Sequence, residues 1–349
     1  MTVTVRSFAK INLGLSIGAV RPDGFHELLT VYQTIGLHDV IRVSVERGSG
    51  IDIRCADPRV PRDSSNTCHR IVERAMTALR AKAHVVVDIE KRLPVQGGLG
   101  GASANAVATL LALEKALRKS LSAEQRLQIA AAVGSDLPLF LVGGTVLGVG
   151  RGEQVHPLPD LPAMACVVVT PEIGVSTPKA FAEWDRRQEL KPSFKEDPDA
   201  ALKRRSSTIE WATAGPKLTV SEPSDRIEGF SRGLSAWLSE LHSSAPSVGV
   251  KRGGRAGNPL LALVRAGIEN DFEQVVFPEY PELGEAKRAL ARAGAKYASL
   301  SGSGSTLYGL FGSRQAAETA VTRLRQAGWA AQATSTLKRA AYWRRLFKA

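Results

Sequence analysis

The stretch Leu93-Pro94-Val95-Gln96-Gly97-Gly98-Leu99-Gly100-Gly101-Ala102-Ser103-Ala104-Asn105-Ala106 constrains this chain more than any other. Before it, His84-Val85-Val86-Val87-Asp88-Ile89-Glu90 is a β-branched run that reads as a strand. After it, Val107, Leu110, Leu111 and Leu117 recur at helical spacing through residue 119. The unit is therefore strand, glycine-rich loop, helix. Glycines at 97, 98, 100 and 101 let the backbone take positive φ angles and approach a ligand closely. The first amides of the following helix have no partner within it, and the macrodipole favours negative charge there. Loops of this build hold phosphates, although a tight structural turn has the same composition. No Lys follows the glycines, so this is not the common nucleotide loop, and the spacing is not Gly-x-Gly-x-x-Gly.

Bulk properties narrow the classes. With 349 residues, 44% hydrophobic and 23% charged, the chain can build two domains around a sizeable core. No apolar run is long enough to span a bilayer, and the Thr2-Val3-Thr4-Val5 alternation starts too early for a signal peptide. A cytoplasmic protein without membrane attachment is expected. The three cysteines at 55, 68 and 166 are too scattered for a disulfide framework, and no metal-ligand spacing is present. The net charge of +12 concentrates at 203–205, 251–255 and 338–348. That excess suits anionic small molecules as well as nucleic acid, and the basic tail is read as terminus or domain cover rather than a nucleic-acid element.

The first half reads as strands at 3–17, 40–45 and 51–55, a helix at 66–82, the strand–loop–helix unit, and a helix opened by the capping box Ser122-Ala123-Glu124-Gln125. A strand pair is expected around 139–149 and a proline-rich linker at 156–162. The second half reads as a strand at 165–170, helices at 259–266, 282–293 and 314–327, and strands at 297–300, 307–311 and 330–334. Between them, 186–257 is rich in Ser, Pro, Lys, Arg and Glu and reads as a partly flexible excursion.

Two further segments join the glycine loop. One is Phe8-Ala9-Lys10-Ile11-Asn12-Leu13-Gly14-Leu15 with Arg21-Pro22-Asp23-Gly24-Phe25-His26-Glu27. The other is Gly134-Ser135-Asp136-Leu137-Pro138 with Gly143-Gly144-Thr145 and Gly148-Val149-Gly150-Arg151-Gly152-Glu153. Together with the late Ser301-Gly302-Ser303-Gly304-Ser305-Thr306, they resemble the GHMP family of small-molecule kinases from about residue 8 to 311. The Ala-Lys-Ile-Asn-Leu start and the Asp-Gly-aromatic-His element resemble the branch acting on a cytidine diphosphate-linked sugar alcohol, in the non-mevalonate route to isoprenoids.

The resemblance implies an α+β, two-domain fold. Residues 1–158 would form the N-terminal ATP-binding domain with the glycine-rich loop, and 163–349 a C-terminal α/β sandwich carrying the excursion, with the active site in the cleft between them. It implies an ATP-dependent kinase using Mg²⁺, acting on a small molecule as a monomer or homodimer. Asp136 would take or orient the acceptor's hydroxyl proton, with Lys10 as the cation beside it. Alternative readings make Asp136 a helix cap and Lys10 a solvent-facing strand residue. Strand alternation sets Phe8, Lys10 and Asn12 on one face, opposite Ile11, Leu13 and Leu15. Pro94, Gly97, Gly98, Leu99, Gly100, Gly101, Ala102 and Ser103 would hold the ATP phosphates, and Asn66 would sit near adenine or simply cap a helix. Asn12, Phe25, His26, Thr177 and Phe181 would hold the cytidyl group, Phe181 as the second face of a sandwich around cytosine. Phe25 stands where the family usually has Tyr, Ala102 replaces a Gly, Ala104 replaces a Ser, and Gln96 replaces a small residue. Another alcohol such as homoserine or mevalonate, or a non-catalytic nucleotide- or RNA-binding protein of the same fold, are the rival expectations.

Overall fold

The computed structural model describes residues 1–189 and 269–347. Its order is β1 (Thr2–Val20), β2 (His26–Glu46), β3 (Gly50–Cys55), α1 (Thr67–Ala78), β4 (His84–Glu90), α2 (Gly101–Leu117), α3 (Ala123–Val133), α4 (Leu137–Val142), β5 (Thr145–Val149), β6 (Gln154–Pro157) and β7 (Ala165–Val169). Then follow α5 (Thr177–Glu189), α6 (Glu273–Glu279), α7 (Pro281–Arg292), β8 (Tyr297–Leu300), β9 (Leu307–Phe311), α8 (Arg314–Gln326), β10 (Ala331–Ser335) and α9 (Arg339–Leu346).

A six-stranded sheet runs β3-β4-β2-β5-β6 with β1 paired along β2, and a four-stranded antiparallel sheet runs β10-β7-β9-β8. Helices α1 to α4 cover one face of the first sheet, sharing a core with Val5, Val43, Val85 and Val87. Its other face meets the second sheet through Ile11, Leu13, Val31, Val168, Tyr308 and Leu310. Helices α5 to α8 cover the far side of the second sheet, on Val167, Val169, Leu300 and Phe311. The α+β class and the two-part build are as expected.

Covering the first sheet on both sides explains its sequence. The middle of β1 and β2 has no polar face, because Ala9 through Ile17 and Thr30 through Ile35 are buried on both sides. That is why β2 before residue 40 leaves no alternation to read. Register shifts between Phe8 and Lys10, and again between Asn12 and Gly14, interrupt the β1–β2 pairing beside the site.

Several boundaries differ from the sequence reading. The expected strand at 139–142 is helix α4, with Pro138 in its first turn and Gly143 closing it at φ +68°; only β5 is strand, and it pairs with β6, which runs into the start of the expected linker. Helix α2 starts at Gly101, earlier than its apolar spacing suggests, and α1 spans Thr67–Ala78 with Asn66 as its N-cap. Helix α3 has the capping box and stops before Gly134. The expected helix at 259–266 and nearly all of the 186–257 excursion lie outside the described residues; α5 reaches Glu189. The basic tail is no loose terminus: α9 buries Tyr342 and Leu346 in the first core. No helix among the described residues is long and apolar enough to cross a membrane.

Candidate active site

Lys10 sits on the interrupted stretch of β1 and is 3% exposed, so the expectation of a wet sheet face does not hold for it. Its backbone N–H donates to the Leu99 carbonyl at 3.0 Å, which ties the glycine loop to the strand. A buried ammonium needs partners. Lys10 Nζ donates to Asn12 Oδ1 at 2.6 Å, lies 3.4 Å from Asp136 Oδ2, and stands 5.6 Å from the Tyr32 ring centroid.

Asp136 precedes α4 but makes no side-chain cap. Its carboxylate turns the other way, where Oδ1 accepts from the Tyr32 hydroxyl at 3.0 Å, and a third of the side chain remains accessible. Burial and the Asp136 charge hold the Tyr32 phenol well above its ordinary range, so it stays a donor. Asn12 bridges Lys10 to the neighbouring strand. Its oxygen accepts from Lys10, and its amide donates to Thr30 Oγ1 at 2.8 Å, which donates on to the Gly14 carbonyl at 2.8 Å. The geometry puts Asn12 on Lys10, although it also lines the cleft.

The glycine loop is pinned from both sides. Gly98 has φ +75°, and a Cβ there would stand 2.1 Å from the Ser301 carbonyl. The Ser301 hydroxyl donates to the Gly98 carbonyl at 2.9 Å and the Thr306 N–H to the Gly97 carbonyl at 3.1 Å. Helix α2 opens at Gly101 with no side-chain cap, so its first amides face the cleft beside Ala102 and Ser103. The fully buried carboxylate of Asp39 fastens both ends of this loop. It accepts from Lys91 Nζ, the Arg92 N–H and the Leu93 N–H at 2.7 Å each, and from Asn105 Nδ2 of α2 at 2.9 Å. Asn66 does cap α1, accepting from the Cys68 N–H at 2.8 Å, and it also lines the cleft. Burial pushes the Cys68 thiol up to about 12, which leaves it protonated and unreactive.

At the other end, Phe25 tips the β1–β2 hairpin and is 52% exposed. His26 Nε2 lies 2.7 Å from Asp185 Oδ1 of α5, and its ring stacks on Phe181 at 4.8 Å with 14° between planes. One face of Phe181 therefore lies against His26, and its ring and that of Phe272 meet edge to face at 4.9 Å. Thr177 Oγ1 and Ser303 Oγ share a 2.7 Å hydrogen bond within the second half.

All of the residues singled out from the sequence, from Lys10 and Asp136 through Pro94 to Ser103, Asn66, Asn12, Phe25, His26, Thr177 and Phe181, line one cleft of about 900 Å³. Tyr32, Asp185, Asp39 and Arg151 were not legible as site residues. No spacing links Tyr32 to Asp136 or His26 to Asp185, and Arg151 stood out only as part of a glycine-rich element. Among the described residues no group of three His, Cys, Asp or Glu could hold a metal ion.

Comparison with known proteins identifies the family and the fold. Residues 68–144 match the model of the GHMP kinases N terminal domain, and residues 257–330 that of GHMP kinases C terminal. The 4-diphosphocytidyl-2-C-methyl-D-erythritol kinase of Acaryochloris marina (strain MBIC 11017) is 34% identical over 325 residues, 93% of this chain and 92% of that protein. The protein of the same name from Solibacter usitatus (strain Ellin6076) is 35% identical over 320 residues, 92% and 84% of the two chains. A crystal structure of 4-(cytidine 5'-diphospho)-2C-methyl-D-erythritol kinase superposes with a TM-score of 0.66 at 26% identity, covering 95% of this chain and 98% of that one. A homoserine kinase from Cytophaga hutchinsonii ATCC 33406 shares the fold, at a TM-score of 0.63 and 17% identity over 97% and 95% of the two chains.

Proposed function

The chain belongs to the family of 4-diphosphocytidyl-2-C-methyl-D-erythritol kinases, a branch of the GHMP kinases, and from that premise we propose that it transfers the γ-phosphoryl group of ATP to the 2-hydroxyl of 4-diphosphocytidyl-2-C-methyl-D-erythritol. The observation that carries this reading is the Lys10–Asp136 pair, 3.4 Å apart, set directly against the glycine loop.

Phosphoryl transfer asks for positioning and charge neutralisation more than for covalent chemistry. Asp136 accepts or orients the acceptor's hydroxyl proton as the new P–O bond forms and the bond to ADP breaks. Tyr32 and Lys10 hold its carboxylate in place. The Lys10 ammonium, kept in position by Asn12, meets the charge spread over the moving phosphoryl oxygens. The amides of Gly98 to Ser103 and the start of α2 hold the ATP phosphates, and Asn66 lies on the adenine side. Phe25, His26, Thr177 and Phe181 receive the cytidyl group. With no three-residue ligand cluster among the described residues, Mg²⁺ would be held mainly by phosphate oxygens and water, with the Ser103 hydroxyl and Asp136 as protein oxygens; it would neutralise phosphate charge. The division at about residue 160 leaves the nucleotide loop to the first half and Thr177 and Phe181 to the second. The chain would act as a monomer or a homodimer. We place the enzyme in the cytoplasm, where ATP is available.

Replacing Asp136→Asn keeps the side chain's size but removes the base. ADP release with the cytidyl substrate should fall about 10²-fold or more, while CDP affinity stays within about threefold. A variant with near-normal turnover overturns the assignment. Faster turnover of homoserine or mevalonate than of the cytidyl substrate overturns the choice of acceptor.

A further inference from the structure

Helix α4 carries Asp136 at its entry, yet its own hydrogen bonds are too few to hold it in place. It spans six residues, well short of the length at which a helix persists alone in water. The carbonyls at its exit need donors from elsewhere, and α9 supplies them. The Tyr342 hydroxyl donates to the Phe140 carbonyl at 2.7 Å, the Trp343 indole N–H to the Val142 carbonyl at 3.1 Å, and Arg339 Nε to the Gly143 carbonyl at 3.2 Å. Arg339 Nη2 also donates to the Thr145 and Leu158 carbonyls at 2.9 and 3.1 Å, and the Arg339 backbone N–H donates to Asp160 Oδ2 at 2.8 Å. The start of α9 is thus fastened to β5 and to the segment after β6, and the rest of it to α4.

The packing agrees with these bonds. Gly143 has φ +68°, and a Cβ there would stand 2.4 Å from Tyr342 Cδ1, so the Tyr342 ring lies directly on the end of α4. On the other side of α4, the Phe140 ring reaches the glycine loop: a Cβ at Gly100 would stand 3.0 Å from Phe140 Cζ and 3.0 Å from Lys10 Cγ. The residue whose carbonyl Tyr342 holds is therefore the one whose ring abuts both the loop and the Lys10 stem. Trp343 is telling as well. Its side chain is 36% exposed, yet its N–H is turned to a carbonyl of α4 rather than to water.

We infer that α9 is a positioning element for phosphoryl transfer: Tyr342, Trp343 and Arg339 fix α4, and α4 fixes the main chain that carries Asp136. This rests on the reading of Asp136 as the group that takes the acceptor's proton. Tyr32 and Lys10 hold the two carboxylate oxygens, while α9 sets where the backbone behind them stands. A base must lie within hydrogen-bond reach of the proton that it takes, and a small misplacement of such a group lowers the rate steeply. No described residue of α9 lines the cleft, so loosening its grip on α4 changes turnover rather than ligand affinity.

Steady-state ADP release with ATP and the cytidyl substrate tests this on Tyr342→Phe, Trp343→Phe and the double variant, well below each melting transition. Both changes keep an aromatic ring and remove the donor. In the double variant kcat should fall about three- to thirtyfold while both KM values stay within about twofold. Ile53→Ala, which opens a cavity in the same core but on β3, is the control. It should lower the melting temperature and leave kcat within about twofold. In an Asp136→Asn background the double change should alter the residual rate by less than about twofold, because its effect passes through that carboxylate. An unchanged kcat in the double variant, a kcat loss in Ile53→Ala as large as that of the double variant, or a full further loss on top of Asp136→Asn each overturn the proposal. A wild type that binds ATP but releases no ADP with the cytidyl substrate overturns the reading of the site, and this proposal with it.

Discussion

Tyr32 shows how a single atom can matter beyond its neighbourhood in the chain. Its ring lies beside the Lys10 ammonium and its hydroxyl donates to Asp136, so one side chain braces both charged groups. Replacing Tyr32→Phe keeps the ring and removes only that hydrogen bond. Because the bond ends on a charged group, we expect a loss of about 1.5–3 kcal/mol in transition-state stabilisation, read as a fall in kcat with little change in either KM. Lys10 and Asp136 could be picked out beforehand only because the motifs around them resemble those of the GHMP kinases; their own residue types suit a solvent-facing strand position and a helix cap as well. Tyr32 could not, since it belongs to a strand whose faces are both covered and whose aromatic reads as ordinary core. Asn12 was visible as a site residue, but its job of holding Lys10 depends on a side-chain bond that no spacing announces.

Asp39 ties three elements, β2, the exit of β4 and the second turn of α2, at one buried carboxylate. The glycine loop is strung between those anchors, so its shape is set by a residue outside it. Asp39→Ala would leave the Lys91 ammonium and two backbone N–H groups buried without an acceptor. A cost of about 3–5 kcal/mol is expected from stranding such a charge, measurable by urea unfolding, together with a higher KM for ATP. Elements with strong end signals were legible, as the capping box of α3 shows, whereas the start of α2 lies within the glycine run, ahead of the apolar spacing that marks the helix. Helix α4 was not legible. Its run of apolar residues is too short for a period to show, and Pro138 and Gly143 at its two ends were the better clue. The extended course of β2 from His26 was hidden for the opposite reason, because a strand covered on both sides has no pattern to lose.

For the molecule as a whole, the connection between sequence and site runs through packing of the two sheets. Sequence motifs far apart along the chain fall into one cleft because Ile11, Leu13 and Val31 of the first sheet press on Val168, Tyr308 and Leu310 of the second. The ends of the chain were harder to foresee. Charge dominates the tail's composition, and only the tertiary structure separates the inward Tyr342 and Leu346 from the outward Arg344 and Arg345. Tyr342 donates its hydroxyl to the Phe140 carbonyl at 2.7 Å and lies 5.6 Å from the Phe8 ring. Tyr342→Ala should therefore cost about 3–5 kcal/mol, seen as a lower melting temperature.

The docking of α9 on the first core sets an order of events during synthesis. The earliest strands leave the ribosome long before residue 342 exists, and every other described element is made in between. Until that last stretch emerges, the hydrophobic socket around Phe8 and Phe140 stays open to water, so the half of the enzyme translated first is among the last to be sealed.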